Sequence, residues 1–131
     1  MGYVNASVKL AELGQSIWYD NIQRGLLKSG ELAEMIKRGE IRGVTSNPTI
    51  FQNAIANSTE YNDAIQALAW AGTAPESIFY TLAIQDIQDA ADLLRSLYDE
   101  SNKIDGYVRL EVSPYLANDT EKTIAEAKLL W

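Results

Sequence analysis

The stretch Gly43-Val44-Thr45-Ser46-Asn47-Pro48-Thr49-Ile50-Phe51 decides how the rest of the chain is read. It completes a short strand-like run over residues 41–45, Ile-Arg-Gly-Val-Thr. Ser46-Asn47-Pro48 then stops the run. Pro48 has no amide hydrogen to give to a sheet, and Asn47 before it is biased towards extended or turn backbone. A helical pattern starts at Thr49. A strand that ends in polar residues and hands over to a helix is one β/α unit.

The same unit recurs on both sides. Ile17-Trp18-Tyr19 is an apolar run closing on Asp20, a first strand. Residues 107–112, Tyr-Val-Arg-Leu-Glu-Val, are rich in β-formers and form a third, stopped by Pro114. Asn5 is placed to cap a short helix that runs to Leu13, with Gly14 as its stop. Residues 26–38 read as a single helix with an apolar stripe of Leu32, Met35 and Ile36, ended by Gly39. The helical stretch from Thr49 to about Ala71 breaks near Asn57-Ser58, where a second cap can form. Thr73 is placed to cap the next helix, with Pro75 in its first turn. There Phe79, Ala83, Ile87, Ala90, Leu94 and Leu97 recur at helical spacing. Asn118 or Asp119 caps a last helix. Trp18, Tyr19, Trp70 and Phe79 are assigned to packing.

Alternating strands and helices imply parallel strands joined by helical crossovers. An open doubly wound sheet and a (β/α)8 barrel both fit that order. The carboxyl ends of the strands favour the barrel. They carry Asp20, then Thr45 and Asn47, then Glu111 with Ser113 close behind, and a barrel gathers its active site at that end. Neither GxGxxG nor GxxxxGK[ST] occurs, so nucleotide binding has no motif to rest on.

Composition narrows the chemistry. The chain has 131 residues, a net charge of −7, no His and no Cys. The acidic balance argues against nucleic acid and anionic membranes as partners. Lacking His and Cys, the chain has no Ser-His or Cys-His triad, thiol nucleophile, disulfide or Cys-zinc site. No apolar run approaches the ~18 residues of a membrane span, and the N-terminus has no signal-peptide core. A soluble, cytoplasmic protein is expected. Its chemistry falls to carboxylates, Lys, Tyr, hydroxyls and amides.

The nine-residue stretch resembles the N-terminal signature of transaldolases. Gln15-Ser16-Ile17-Trp18-Tyr19-Asp20-Asn21 is similar to the first strand of their longer bacterial forms. Asp105-Gly106-Tyr107-Val108-Arg109-Leu110-Glu111-Val112-Ser113-Pro114 is similar to their third, and Asn118-Asp119-Thr120 to the start of the helix that follows. The resemblance implies the first three β/α units of a (β/α)8 barrel over residues 1–131, an incomplete single domain with no second domain. It also implies transfer of a dihydroxyacetone unit between sugar phosphates, in the pentose phosphate pathway. The family reacts through a Schiff-base lysine, with no metal or organic cofactor.

By the same resemblance, Asp20 is the general acid/base that handles the sugar hydroxyl proton during carbon–carbon cleavage. Asn47 holds the dihydroxyacetone moiety. Glu111 works with a water in forming and breaking the imine, and Thr45 positions that water or the Glu. The residues alone leave more open. Asp20 also suits a cap or turn. Glu111, between Leu110 and Val112, is either a carboxylate raised by burial or the ion-pair partner of Arg109. Asn47-Pro48 is also an ordinary turn.

The family's imine-forming lysine lies on a fourth strand. Lys9, Lys28, Lys37, Lys103, Lys122 and Lys128 all fall on helices or loops, outside the apolar strands. The chain is therefore expected to be inactive alone, and to self-associate or pair with the missing part of the barrel. Two other readings remain: a different lysine-dependent barrel aldolase, and a non-catalytic self-associating fragment.

Overall fold

A computed structural model describes residues 5–131. Asn5 starts α1 (Ala6–Glu12) by accepting the Ser7 amide on its side chain at 3.0 Å. Then follow β1 (Trp18–Asp20), α2 (Arg24–Lys28), α3 (Glu31–Lys37), β2 (Gly43–Thr45) and α4 (Pro48–Ala56). A 3-10 turn, Thr59–Tyr61, leads into α5 (Asn62–Trp70). The long α6 (Pro75–Glu100) precedes β3 (Tyr107–Arg109), a second 3-10 turn at Pro114–Leu116, and α7 (Thr120–Leu130).

The three strands form one parallel sheet in the order β1-β2-β3. Its register aligns Trp18 with Gly43 and Tyr107, and Asp20 with Thr45 and Arg109. Side chains alternate across a strand, so these two rows share one face of the sheet. Tyr19, Val44 and Val108 take the other face. They pack with Ile22, Leu32, Ile41, Phe51, Ala83, Ala90 and Leu94 into the main core. A smaller cluster of Ala54, Tyr61, Ile78 and Leu82 joins α4, the first 3-10 turn and α6. The helices therefore cover one face of the sheet, and the face bearing Asp20 and Thr45 stays open.

Several local expectations change. Residues 26–38 are two helices, because Gly30 sits at φ +80 between α2 and α3. Ala74, not Thr73, is the N-cap of α6. The third strand stops at Arg109, since its partner β2 ends at Thr45 and leads through Ser46 and Asn47 into α4, leaving no strand among the described residues to pair with residues 110–112. Trp70 is 81% exposed and packs no core. Of the two candidate caps for the last helix, Asp119 is the one used, accepting the Lys122 amide at 3.0 Å.

A buried polar knot ties the helices together. Asp86, on the inner face of α6, is fully buried. Its Oδ1 accepts from Arg24 Nε at 2.8 Å and its Oδ2 from the Tyr61 hydroxyl at 2.7 Å. That hydroxyl accepts the Arg24 amide at 2.9 Å, and the Arg24 guanidinium lies 4.6 Å from the Tyr61 ring centroid. Burial pushes the Asp86 carboxyl above its ordinary value, with the bonds from Tyr61 and Arg24 pulling the other way. Among the described residues no helix is long and apolar enough to cross a membrane.

Candidate active site

The site grows from the abrupt ends of the strands. β1 delivers Asp20 to the carboxyl edge of the sheet, where it is exposed. Its register neighbour Thr45 donates Oγ1 to Asp20 Oδ1 at 2.7 Å, fixing the carboxylate's orientation across the β1–β2 pair. Thr45 thus bonds Asp20 rather than Glu111.

Asn47 has extended backbone (φ −147, ψ 168), as a residue before proline should, and is the N-cap of α4. Its Oδ1 accepts the Ile50 amide at 2.9 Å, and Pro48 occupies the first helical turn, where its missing N–H costs nothing. With the carbonyl oxygen committed to the cap, the orientation of the side chain is fixed. Its Nδ2 has no hydrogen-bond partner among the described residues. The turn and the functional readings of Asn47 are therefore compatible: the oxygen serves the helix and leaves the amide nitrogen free of that bond.

Glu111 lies two residues beyond β3 and is exposed, so the expectation of a carboxylate enclosed within a strand is corrected. The alternative pairing with Arg109 is absent as well. The Arg109 guanidinium lies over the Trp18 ring, 5.8 Å from its centroid, and makes no salt bridge among the described residues. Trp18 in turn lies flat on β2: a Cβ added at Gly43 would come within 2.5 Å of its indole carbons. The glycine that opens the decisive motif is there because a neighbouring ring occupies the place of its side chain.

Asp20, Asn47 and Glu111 line one open cleft of about 480 Å³, together with Pro48, Thr49, Ile50 and Pro114. Thr45 stands behind Asp20 rather than in the lining. Two carboxylates and an amide donor around an open cleft can move protons and hold an oxygen-rich ligand. All six lysines are exposed and none lines the cleft.

A family model described as transaldolase/fructose-6-phosphate aldolase matches residues 17–131. The chain belongs to this family. It is 48% identical over 128 residues to a transaldolase of Thiobacillus denitrificans, covering 98% of this chain and 36% of that protein. It is 46% identical over 125 residues to "Transaldolase 2" of a Nostoc species, covering 95% and 33% respectively. With a transaldolase of Thermobifida fusca the identity is 45% over 123 residues, covering 94% and 33%. The chain spans about a third of the length of the curated relatives it matches.

Two residues outside the sequence-predicted set, Ser46 and Glu126, hydrogen-bond the backbone on either side of Glu111, at the Arg109 carbonyl and the Ser113 amide. Ser46 gave one signal. It sits between the strand and the cap at a position whose alternation turns it away from the cleft.

Proposed function

We propose that the chain is the first three β/α units of a transaldolase barrel. In the complete (β/α)8 barrel it supplies one side of the site that transfers a dihydroxyacetone unit between sugar phosphates. The observation that carries the reading is the convergence of Asp20, Asn47 and Glu111 on one cleft at the carboxyl ends of parallel strands. Barrel enzymes gather their chemistry at that end.

The roles are those the family resemblance implies, and the positions of the side chains support them. Asp20, oriented by Thr45, takes and returns the proton of the sugar hydroxyl whose carbon–carbon bond breaks. Asn47 offers its Nδ2 to an oxygen of the dihydroxyacetone unit. Glu111, open to solvent, exchanges protons with a water during imine formation and hydrolysis. The family description also includes fructose-6-phosphate aldolase; the relatives' name, transaldolase, favours transfer.

The nucleophile comes from outside these residues. A Schiff-base lysine needs its pKa lowered by burial or a nearby cation, and the six lysines here are exposed. The 131-residue chain incubated with fructose 6-phosphate and borohydride should show no covalent adduct by intact mass. A stoichiometric adduct on this chain would overturn the assignment.

The same reading names the partner: the remainder of the barrel. Among the described residues β1 and β3 each leave one edge unpaired, and a groove of about 640 Å³ runs beside β3, lined by residues including Trp18, Ile87, Val108, Val112 and Leu130. Unpaired edges and exposed apolar surface promote association. Light scattering on the chain alone should find self-association; a stably folded monomer would count against the pairing.

A further inference from the structure

Glu111 sits on an unpaired stretch of chain. The β2–β3 ladder ends at Thr45 and Arg109, and the next regular element after β3 begins at Pro114. Residues 110–113 cross the top of the sheet with no strand beside them among the described residues. A carboxylate on such a segment has a fixed place only if other groups replace the ladder's hydrogen bonds. Two side chains do so, one at each end.

At the near end, Ser46 donates Oγ to the Arg109 carbonyl oxygen at 2.6 Å. Ser46 is 2% exposed. It follows the last paired residue of β2, so its hydroxyl takes over at the point where the backbone turns towards α4. At the far end, Glu126 of α7 accepts the Ser113 amide on Oε1 at 2.6 Å. The Tyr80 hydroxyl of α6 lies 3.4 Å from the same oxygen. One pin comes from the short turn between β2 and α4, between Thr45 and Asn47. The other comes from the helix beyond the segment.

We propose that Ser46 and Glu126 are positioning residues for Glu111, holding the two ends of residues 110–113 so that its carboxylate stays on the cleft it shares with Asp20 and Asn47. Neither lines that cleft, so each acts through the backbone it holds. The inference rests on the transaldolase reading. It assigns Ser46 of the motif a task separate from those of Thr45 and Asn47 on either side.

The test uses the complete barrel polypeptide carrying this segment, with fructose 6-phosphate as donor and an aldose phosphate as acceptor. Misplacing a reacting group by about 1 Å can cost ~100-fold in rate. Ser46→Ala and Glu126→Ala should therefore each lower kcat by about 10- to 100-fold, with KM for the donor shifted less than about threefold. Ser46→Thr keeps the donor and Glu126→Gln keeps the acceptor; both should retain kcat within about threefold. Normal kcat in folded Ser46→Ala and Glu126→Ala proteins would overturn the proposal. So would a loss in Glu126→Gln as large as in Glu126→Ala, since charge would then be what matters. If Ser46→Ala does not fold, the Glu126 pair decides. A parent barrel with no turnover and no borohydride-trapped adduct would instead overturn the transaldolase reading, a failure already visible without any substitution.

Discussion

Replacing Asp86 with Ala should cost this chain about 3–5 kcal/mol, the range for removing one partner of a buried ion pair. The structure places the pair at the severe end of that class. Arg24 Nε and Asp86 Oδ1 are 2.8 Å apart, with side-chain exposures of 9% and 0%. Without the carboxylate, the guanidinium's remaining hydrogen-bond acceptors are Gln85 Oε1 at 3.0 Å and the Leu82 carbonyl at 3.5 Å, and it keeps the Tyr61 ring at 4.6 Å; none of these is charged. The Tyr61 hydroxyl loses its acceptor as well. Domains of this size have on the order of 5–15 kcal/mol in total, so the loss is a large fraction. Urea unfolding followed by far-ultraviolet circular dichroism reads it as a fall in midpoint at unchanged slope. The decisive variant is the double one. If the cost comes from an orphaned cation rather than from lost volume, Arg24→Met with Asp86→Leu should recover most of the stability, because apolar replacement of a whole buried pair is often neutral. A loss under about 1 kcal/mol for Asp86→Ala, or a double variant no better than the single one, would refute the reasoning.

Other expectations follow from single contacts. Gly43→Ala forces a methyl to within 2.5 Å of Trp18 indole carbons; it should destabilise by about 1–3 kcal/mol in urea, and Trp18→Leu should relieve most of that. Burial, followed by the bond to Asp86, raises the Tyr61 hydroxyl well above its ordinary value of 10.0. The folded state then holds that proton where the unfolded chain has released it, so its stabilisation is complete below pH 10 and declines above it. Alkaline unfolding should lose this component in Tyr61→Phe; an unchanged alkaline slope would contradict it. Asn47→Asp keeps the side-chain oxygen that caps α4 but removes the Nδ2 donor. Its melting temperature should stay near that of the parent while turnover in the complete barrel falls. Asn47→Ala should lose about 1 kcal/mol of stability as well.

What the sequence made legible was the part written in local rules. Asn5 as a cap, the break at Asn57-Ser58, the stripe along α6 and the stop at Asn47-Pro48 each depend on a few adjacent residues, and each stands in the structure. The misses depend on partners distant in sequence. Residues 107–112 have strand composition throughout, yet only Tyr107–Arg109 pairs, because the neighbouring strand has already become a helix. The need for glycine at position 43 likewise appears only in the fold, where the Trp18 ring occupies the space a side chain would take. Asp86 did leave a trace. It falls four residues after Leu82 and four before Ala90, within the buried stripe, and a charge at that spacing marks a buried polar knot. Trp70 shows the reverse error, where aromatic character was read as burial.

Among the candidate site residues, position is set by register and hydrogen bonding rather than by burial. Asp20 and Glu111 are both exposed, and the apolar core lies on the opposite face of the sheet. The parallel register of β1 and β2 brings Thr45 beside Asp20, within hydrogen-bond reach. Asn47 is oriented by the helix it caps and Glu111 by side chains at either end of its segment. Each orientation uses groups within this chain, while the cleft itself stands open. Enclosure strengthens electrostatic interactions by excluding water. In the proposed barrel, the geometry of this side of the site would therefore precede closure, and the low-dielectric environment would arrive with the remaining strands.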